Sequence, residues 1–152
     1  MSTKLSDLQP EVRELALAFV SALEEAGIAY VVTSTLRTVD EQVALYAQGR
    51  APLDIVNLLR GKANMPHISA GENTYTVTKC DGVTKRSNHQ GGRALDVVPM
   101  VGHRPTWDYA KHAGEFKEIG AIGKAAGFRW GGEWPPLDEV TGLGFDSPHF
   151  EA

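Results

Sequence analysis

The sequence predicts a single α+β domain with long loops. Three observations support this. A strong amphipathic helix pattern lies near the N-terminus, several short apolar runs have strand character, and neither an internal repeat nor a linker divides the chain. At 152 residues the chain is long enough to bury a core without disulfide staples.

The first helix is the best-marked element. Pro10 falls in its first turn, where a missing N–H costs little, and Ser6 with Gln9 fits a capping box. Gly27 stands where a left-handed cap would end the helix. The apolar residues that share one face are Leu8, Val12, Leu15, Phe19 and Leu23.

A buried strand is predicted directly after this helix, because residues 28–34 are β-branched and apolar. A second helix is predicted from a Thr38 cap, with Glu41 completing a capping box, to Gly49. A third helix covers residues 52–60.

The C-terminal half is expected to combine loops with short strands. Residues 61–73 carry loop punctuation, and a last helix fits residues 113–126, with Gly127 as its stop. Short strands are predicted over residues 75–79, 94–98, 128–130 and 148–150.

The bulk properties exclude several classes of function. A formal net charge of −4 argues against a nucleic-acid partner, and the single cysteine, Cys80, excludes a disulfide framework or a Cys-rich zinc finger. No apolar run is long enough for a membrane span. The N-terminus leads into an amphipathic helix instead of a signal peptide, so we expect synthesis in the cytoplasm. Nothing suggests a dimer seam, and we expect a monomer.

Two separated segments carry a ligand set suited to zinc. His89, Asp96 and His149 offer two imidazole nitrogens and one carboxylate oxygen. A catalytic zinc typically takes three protein ligands and keeps a fourth position for water. Gly91 and Gly92 permit a tight or positive-φ backbone just after the first histidine. The sequence therefore predicts one Zn²⁺ site, provided that the two segments meet in space.

A further carboxylate, that of Asp146, precedes His149 by three residues. Residues three apart face opposite sides of a regular strand, but Pro148 disfavours regular strand geometry, so the two side chains can converge. A carboxylate beside the metal can take a proton from water and return it to a leaving amine. An Asp that caps a turn beside a core histidine fits the spacing equally well.

These segments resemble those of a known family. Residues 87–96 resemble the SxHxxGxAxD signature of the M15 zinc peptidases, which comprise D-Ala-D-Ala carboxypeptidases and the L-alanyl-D-glutamate endopeptidases of phage lysins. Residues 146–150 resemble the closing motif of that family, residues 34–50 its N-terminal block, and residues 127–134 the segment before the closing motif. The resemblance covers most of the chain from about Ile28 onward.

The resemblance implies a fold and a set of roles. The fold is the one shared by D-Ala-D-Ala metallopeptidases and Hedgehog-type domains, a small antiparallel sheet with flanking helices. His89, Asp96 and His149 would bind Zn²⁺, and Asp146 would act as general base and then general acid. Arg37 would hold a substrate carboxylate or stabilise the oxyanion.

Four other residues are candidates for substrate contact or for support of the ligands. Gln42 is expected on the same wall as the arginine of the N-terminal block, and Ser87 either contacts substrate or orients the loop of the first ligand. Trp130 and Trp134 either line the cleft or belong to the core.

The chain departs from the lysin-like pattern in two places. Glu133 stands where those members usually carry Asp, and residues 135–145 form a longer insert that contains Pro and Gly. Residues 61–73 do not align with the family. These departures concern the shape of the cleft more than its chemistry.

Together these observations predict a zinc-dependent peptidoglycan peptidase that acts on the stem peptide, most simply as an L-alanyl-D-glutamate endopeptidase of a phage or prophage endolysin. A D-Ala-D-Ala carboxypeptidase is the alternative. A zinc-containing wall-binding domain without catalysis is a third possibility, but such a module has no need of Asp146. Residues 1–152 would form one catalytic domain without a separate wall-binding domain, reaching the periplasmic cell wall through a membrane lesion.

Overall fold

The computed structural model describes all residues from 1 to 152 and consists of a small antiparallel sheet with four helices around it. The helices are α1 (Pro10–Glu25), α2 (Val39–Ala47), α3 (Leu53–Lys62) and α4 (Tyr109–Ala125). The strands are β1 (Tyr30–Ser34), β2 (Ala94–Val101), β3 (Arg104–Pro105), β4 (Arg129–Trp130) and β5 (His149–Glu151). No helix combines the length and the apolar character that crossing a membrane requires.

The long strand β2 lies in the middle of the sheet. The strand order is β1-β2-β5-β4, every pairing is antiparallel, and β3 forms a hairpin with the end of β2. Asp96 of β2 stands opposite Ser34 on one side and His149 on the other. The register therefore brings the end of β1 and the start of β5 to the same point of the central strand.

Helices α1 and α4 supply most of the core that covers the sheet. Phe19 of α1 and Phe150 of β5 are fully buried, with ring centroids 4.7 Å apart, and Phe116 of α4 is 1% exposed. Burying each such side chain contributes about 1.5–3 kcal/mol. A second, smaller cluster (Ala44, Leu45 and Met65) holds α2 against the segment after α3.

The glycines of α4 weaken its helix propensity but permit close packing. At Gly123 an added Cβ would collide with the ring of Phe150 and come within 3.0 Å of Phe19 Cζ. The helix therefore needs a residue without a side chain at this position to approach the sheet. It begins earlier than predicted, at Tyr109, and has non-helical dihedrals at His112 (φ −120°, ψ 28°).

The predicted capping box at the start of α1 is wrong. Gln9 is the N-cap, and no side chain caps the helix. The Gln9 amide donates instead to the Gly91 carbonyl at 2.7 Å, and its backbone N–H donates to the Gly92 carbonyl at 3.0 Å. Contacts with a distant loop have replaced the local cap. By contrast, the predicted Thr38 cap of α2 is confirmed, since its hydroxyl accepts from Glu41 N at 3.2 Å.

The strand predicted over residues 75–79 is also wrong, because that segment is a loop. Its polar groups form hydrogen bonds with helix α2 and with the turn after it. The Thr78 hydroxyl accepts from the Gln42 amide at 3.1 Å, and the Thr78 carbonyl accepts from Arg50 at 2.8 Å. Tyr75 and Val77 are about half exposed, at 57% and 48%. The alternating pattern is present, but no neighbouring strand pairs with it.

Candidate metal centre

The three candidate ligands converge from three different elements. His89 lies on a short 3-10 helix (Asn88–Gly91), Asp96 on β2 and His149 at the start of β5. The short helix is closed by a capping box: the Ser87 hydroxyl accepts from His89 N at 3.3 Å, and Gln90 accepts from Ser87 N at 2.9 Å. Ser87 thus orients the loop of the first ligand.

The ligand atoms form a nearly equilateral triangle. His89 Nε2 lies 3.2 Å from Asp96 Oδ1 and 3.2 Å from His149 Nδ1, and His149 Nδ1 lies 3.3 Å from Asp96 Oδ1. Tetrahedral ligands at about 2.0–2.1 Å from zinc stand roughly 3.3 Å apart. The donor set and its spacing therefore fit a zinc ion with one position left open.

A backbone carbonyl sets the orientation of the His89 ring. The ring is 1% exposed, and its Nδ1 lies 2.7 Å from the Thr35 carbonyl oxygen. A carbonyl only accepts, so Nδ1 carries the proton and Nε2 presents its lone pair to the site. A backbone bond from Arg37 N to the His89 carbonyl, 3.1 Å long, fixes the same loop against the end of β1.

His149 is held in the opposite tautomer. Its Nε2 lies 2.9 Å from Glu151 Oε2, which leaves Nδ1 to face the metal position. Glu151 is itself fixed, because it accepts from Asn88 Nδ2 at 2.6 Å and pairs with Arg129 at 2.9 Å. Burial alone lowers the pKa of His149, but its bonds to Asp96 and Glu151 outweigh burial and raise that pKa to about 10. A metal must therefore displace a proton from this ring.

Asp96 divides its two oxygens between the metal position and Arg37. Oδ1 faces the histidines, while Oδ2 accepts from Arg37 at 2.9 Å. Burial opposes ionisation of Asp96, but the neighbouring His89, His149 and Arg37 outweigh it and hold the pKa of this carboxyl well below its usual range. Asp96 is therefore a carboxylate ready to bind a cation.

Arg37 makes more hydrogen bonds within the protein than its predicted role requires. Besides Asp96, its Nε donates to Ser34 Oγ at 3.1 Å and its Nη1 donates to Gln42 Oε1 at 3.3 Å. Gln42 is fully buried and also bonds to the loop around residue 80, because its amide donates to the Cys80 carbonyl at 2.9 Å. A guanidinium has five N–H donors, so two remain for the groove that Arg37 lines.

Asp146 lies beside the metal position without belonging to the triangle. Its Oδ2 is 3.9 Å from His149 Nδ1, and 41% of its side-chain surface is open to the groove. Burial in the concave wall raises the pKa of Asp146 to about 6, and Asp96 adds to this rise, while His149 and Arg37 oppose it. A carboxyl of this kind is suited to gain and lose a proton near neutral pH.

The metal position lies in a groove of about 530 Å³. Residues 76–80 and 85–88 form one wall of its lining, and another wall includes Trp134 and Phe145. The Trp134 ring lies 5.3 Å from the His149 ring and 5.9 Å from the Phe145 ring. The 135–145 insert thus contributes an aromatic side chain to the groove.

The two candidate tryptophans have separate locations. Trp134 lines the groove, whereas Trp130 is buried in the core, where its ring stacks on Phe150 and its Nε1 donates to the Ser147 carbonyl at 2.7 Å. Trp130 therefore supports the segment between Asp146 and His149 and does not line the groove. Of the two alternatives, lining the cleft or belonging to the core, the second applies to Trp130.

Sequence reasoning missed part of the groove. Four residues that the sequence analysis does not place in the site line it: Lys79, Cys80, Lys85 and Arg86. These residues belong to a loop whose position depends on tertiary contacts, and no local pattern signals it. Glu151 could be anticipated, because it lies two residues after His149 and thus on the same strand face.

A family model and a curated protein match this chain. A family model described as D-alanyl-D-alanine carboxypeptidase matches residues 81–152, which contain all three candidate ligands and Asp146. The peptidoglycan L-alanyl-D-glutamate endopeptidase CwlK of Bacillus subtilis (strain 168) is 28% identical over 152 residues, covering 96% of this chain and 74% of CwlK.

Solved structures share the fold. The L-Ala D-Glu endopeptidase ChiX of Serratia marcescens superposes with a TM-score of 0.54 at 21% identity, over 97% of this chain and 81% of ChiX. The D,D-pentapeptidase VanY from a VanB-type resistance cassette, solved with Zn(II), gives 0.56 at 18% identity, over 95% of this chain and 71% of VanY. The predicted α+β fold of the D-Ala-D-Ala metallopeptidase type is confirmed.

Proposed function

We propose that this chain is a zinc metallopeptidase of the M15 family that acts on peptidoglycan, and that it hydrolyses the bond between L-alanine and D-glutamate in the stem peptide. The observation that carries hydrolysis is the ligand triangle with Asp146 3.9 Å from His149. The choice of bond is supported by CwlK, which aligns with 96% of this chain and whose name states that activity.

His89, Asp96 and His149 would hold the zinc ion. Bound there, zinc polarises a carbonyl oxygen and lowers the pKa of water. The protein's own part is to keep each ligand in its binding form. The Thr35 carbonyl does this for His89, and Glu151 does it for His149.

Asp146 would move the proton. Its Oδ2 lies 3.9 Å from His149 Nδ1, and its pKa of about 6 lets it accept a proton from the attacking water. The same carboxylic acid then donates that proton to the leaving amine of D-glutamate. A wall-binding module without catalysis does not require a carboxylate here, and this favours the enzyme.

Arg37 would act in two ways. It holds Asp96 Oδ2 at 2.9 Å, so that this ligand presents only Oδ1 to the metal. It also lines the groove and keeps two N–H donors unused, and these can stabilise the negative charge that develops on the scissile carbonyl oxygen. Trp134 would bound the substrate on the opposite wall.

Cleavage of the D-Ala-D-Ala bond is the second candidate, favoured by the description of the family model that matches residues 81–152. Mass spectrometry of purified muropeptides after digestion separates the two. Loss of the stem peptide beyond L-alanine supports the endopeptidase, whereas release of D-alanine alone supports the carboxypeptidase and refutes our proposal.

The role of Asp146 is tested by Asp146→Asn, with Asp40→Asn as a matched control on the exposed start of α2. We expect the first variant to lose at least about 100-fold in kcat at unchanged zinc content, since general acid–base catalysis is worth about 10²–10⁴-fold. The control keeps full activity. Turbidity loss of permeabilised bacteria reports whether the purified enzyme acts as a lysin on the intact cell wall. Retained lysis by the zinc-loaded Asp146→Asn variant refutes this mechanism.

A further inference from the structure

One wall of the groove is basic although the chain as a whole has a net charge of −4. Lys79, Lys85 and Arg86 line it together, and we call these three residues the basic wall. The acidic side chains of the groove lie elsewhere, at the metal position and beside it: Asp96, Asp146 and Glu151. Apart from Arg37, which is bonded to Asp96, the arginine and lysine side chains of the groove therefore all belong to one loop.

The loop that carries the basic wall forms a turn that is held by its own hydrogen bonds. Asp81 Oδ1 accepts the backbone N–H groups of Val83, Thr84 and Lys85 at 2.8, 2.8 and 2.9 Å. A backbone bond of 3.1 Å from Gly82 N to the Lys85 carbonyl closes it. The hydrogen bond from the Thr84 hydroxyl, together with these backbone bonds, lowers the pKa of Asp81 to about 2. The backbone beneath Lys85 is thus fixed before any ligand arrives.

The same turn is anchored to the catalytic machinery. Gln42, the partner of Arg37, donates to the Cys80 carbonyl at 2.9 Å. Gln90, which closes the capping box of the metal-binding loop, donates to the Gly82 carbonyl at 2.9 Å. Both amides are buried, so the basic wall keeps a defined position relative to the metal site.

The three cations differ in what they already contact. Lys79 Nζ lies 4.1 Å from the centroid of the Phe145 ring, and this cation–π contact joins the loop to the opposite wall. Lys85 and Arg86 are exposed, and neither side chain takes part in an ion pair within the protein. Their charges are free to meet a ligand in the groove.

We propose that Lys85 and Arg86 bind the free α-carboxylate of the stem D-glutamate, so that the enzyme selects acidic stems over amidated ones. This inference rests on the proposed function. D-Glutamate continues the stem through its γ-carboxyl group, which leaves its α-carboxylate one carbon from the scissile nitrogen. Amidation of that group to D-isoglutamine keeps its size and removes its charge. The acids of the groove would repel the carboxylate, and Arg37 is already paired with Asp96, so the unpaired cations that can stabilise it are Lys85 and Arg86.

The test compares two disaccharide-tripeptides that differ only in carrying D-glutamate or D-isoglutamine at the second position. For the wild-type enzyme we expect kcat/KM to be about three- to tenfold higher on the acid, the range for one or two partly exposed ion pairs. The double variant Lys85→Gln/Arg86→Gln should lose this preference through a higher KM on the acid, with kcat unchanged and the amide unaffected.

A matched double variant, Lys62→Gln/Arg104→Gln, removes two exposed cations away from the groove and should keep the wild-type preference. Added salt should reduce the preference of the wild-type enzyme and leave the Lys85→Gln/Arg86→Gln variant unchanged, because exposed charge pairs are screened. Equal cleavage of acid and amide by the wild-type enzyme overturns the inference, as does an unchanged KM in the groove variant. Cleavage of neither peptide overturns the proposed bond itself.

Discussion

Glu151 gives the sharpest test of how the protein holds its metal. The carboxylate accepts from His149 Nε2 at 2.9 Å and from Asn88 Nδ2 at 2.6 Å, and it pairs with Arg129 at 2.9 Å. Glu151→Gln keeps the shape of the side chain but removes the charge. If the new amide offers its oxygen to the imidazole, the bond survives in a neutral form. If it offers its NH₂ group, the imidazole must move its proton to Nδ1 and lose the metal lone pair.

The magnitude follows from the change of bond type. A hydrogen bond to a charged group contributes about 1.5–3 kcal/mol and a neutral one about 0.5–1.5 kcal/mol, so the substitution weakens the support of His149 by about 1–2 kcal/mol. At 1.4 kcal/mol per factor of ten, the Kd for zinc should rise about five- to thirtyfold. Loss of a partner of a metal-bound histidine typically costs about 10–100-fold in affinity, in agreement with this range.

Competition with a fluorescent chelator at fixed pH measures the Kd, and the visible absorption of the cobalt-substituted protein reports the ligand geometry independently of activity. Arg129→Gln is the matched control. Its side chain is 74% exposed, so its loss should change the Kd by less than about threefold, as expected for an exposed ion pair. A zinc Kd within twofold of wild type in Glu151→Gln would refute the reasoning.

Three further predictions follow from packing, titration and metal binding. Gly123→Ala should lower the free energy of unfolding by about 1–3 kcal/mol in urea titrations because the new methyl group collides with Phe150, whereas Gly114→Ala, whose Cβ would meet nothing within 4 Å, should be neutral or stabilising. Carboxyl NMR of Asp81 should show a titration midpoint near pH 2. The stability that its turn contributes should be fully present above the ordinary carboxyl pKa and be lost as the pH falls through 2. A midpoint at the ordinary carboxyl pKa would contradict the turn geometry. Removing zinc with a chelator should lower Tm, since an ion present at 100 times its Kd stabilises the fold by about 2.7 kcal/mol.

Local sequence patterns predicted the structure correctly where that structure depends on residues that are close in sequence. The apolar face of α1 and the Thr38 cap depend on residues within one or two turns of each other, and both were predictable. The candidate ligands could be named because the motif spacing is short and the chemistry of two imidazoles and a carboxylate is distinctive.

The misses share a tertiary cause. Residues 75–79 alternate like a strand, but a strand needs a partner, and their hydrogen bonds go to α2 and the turn after it instead. Gln9 was predicted to form a capping box with Ser6, but its side chain bonds instead to the loop at residues 91–92, which is distant in sequence. Trp130 and Trp134 look equivalent along the chain, yet the turn between them sends one into the core and the other to the groove.

Asp96 lies on the central strand of the sheet, and this makes the local stability of the metal site different from that of the turn that carries the basic wall. Its strand is hydrogen-bonded on both sides, so amide exchange there should require global unfolding, whereas the exposed Asp81 turn can open locally. The ion-binding geometry is thus coupled to the most persistent part of the fold, and the basic wall to a more labile one. If the basic wall selects the stem as proposed, substitutions in that turn would change substrate preference without disturbing the ligands, and the preference could evolve independently of the metal chemistry.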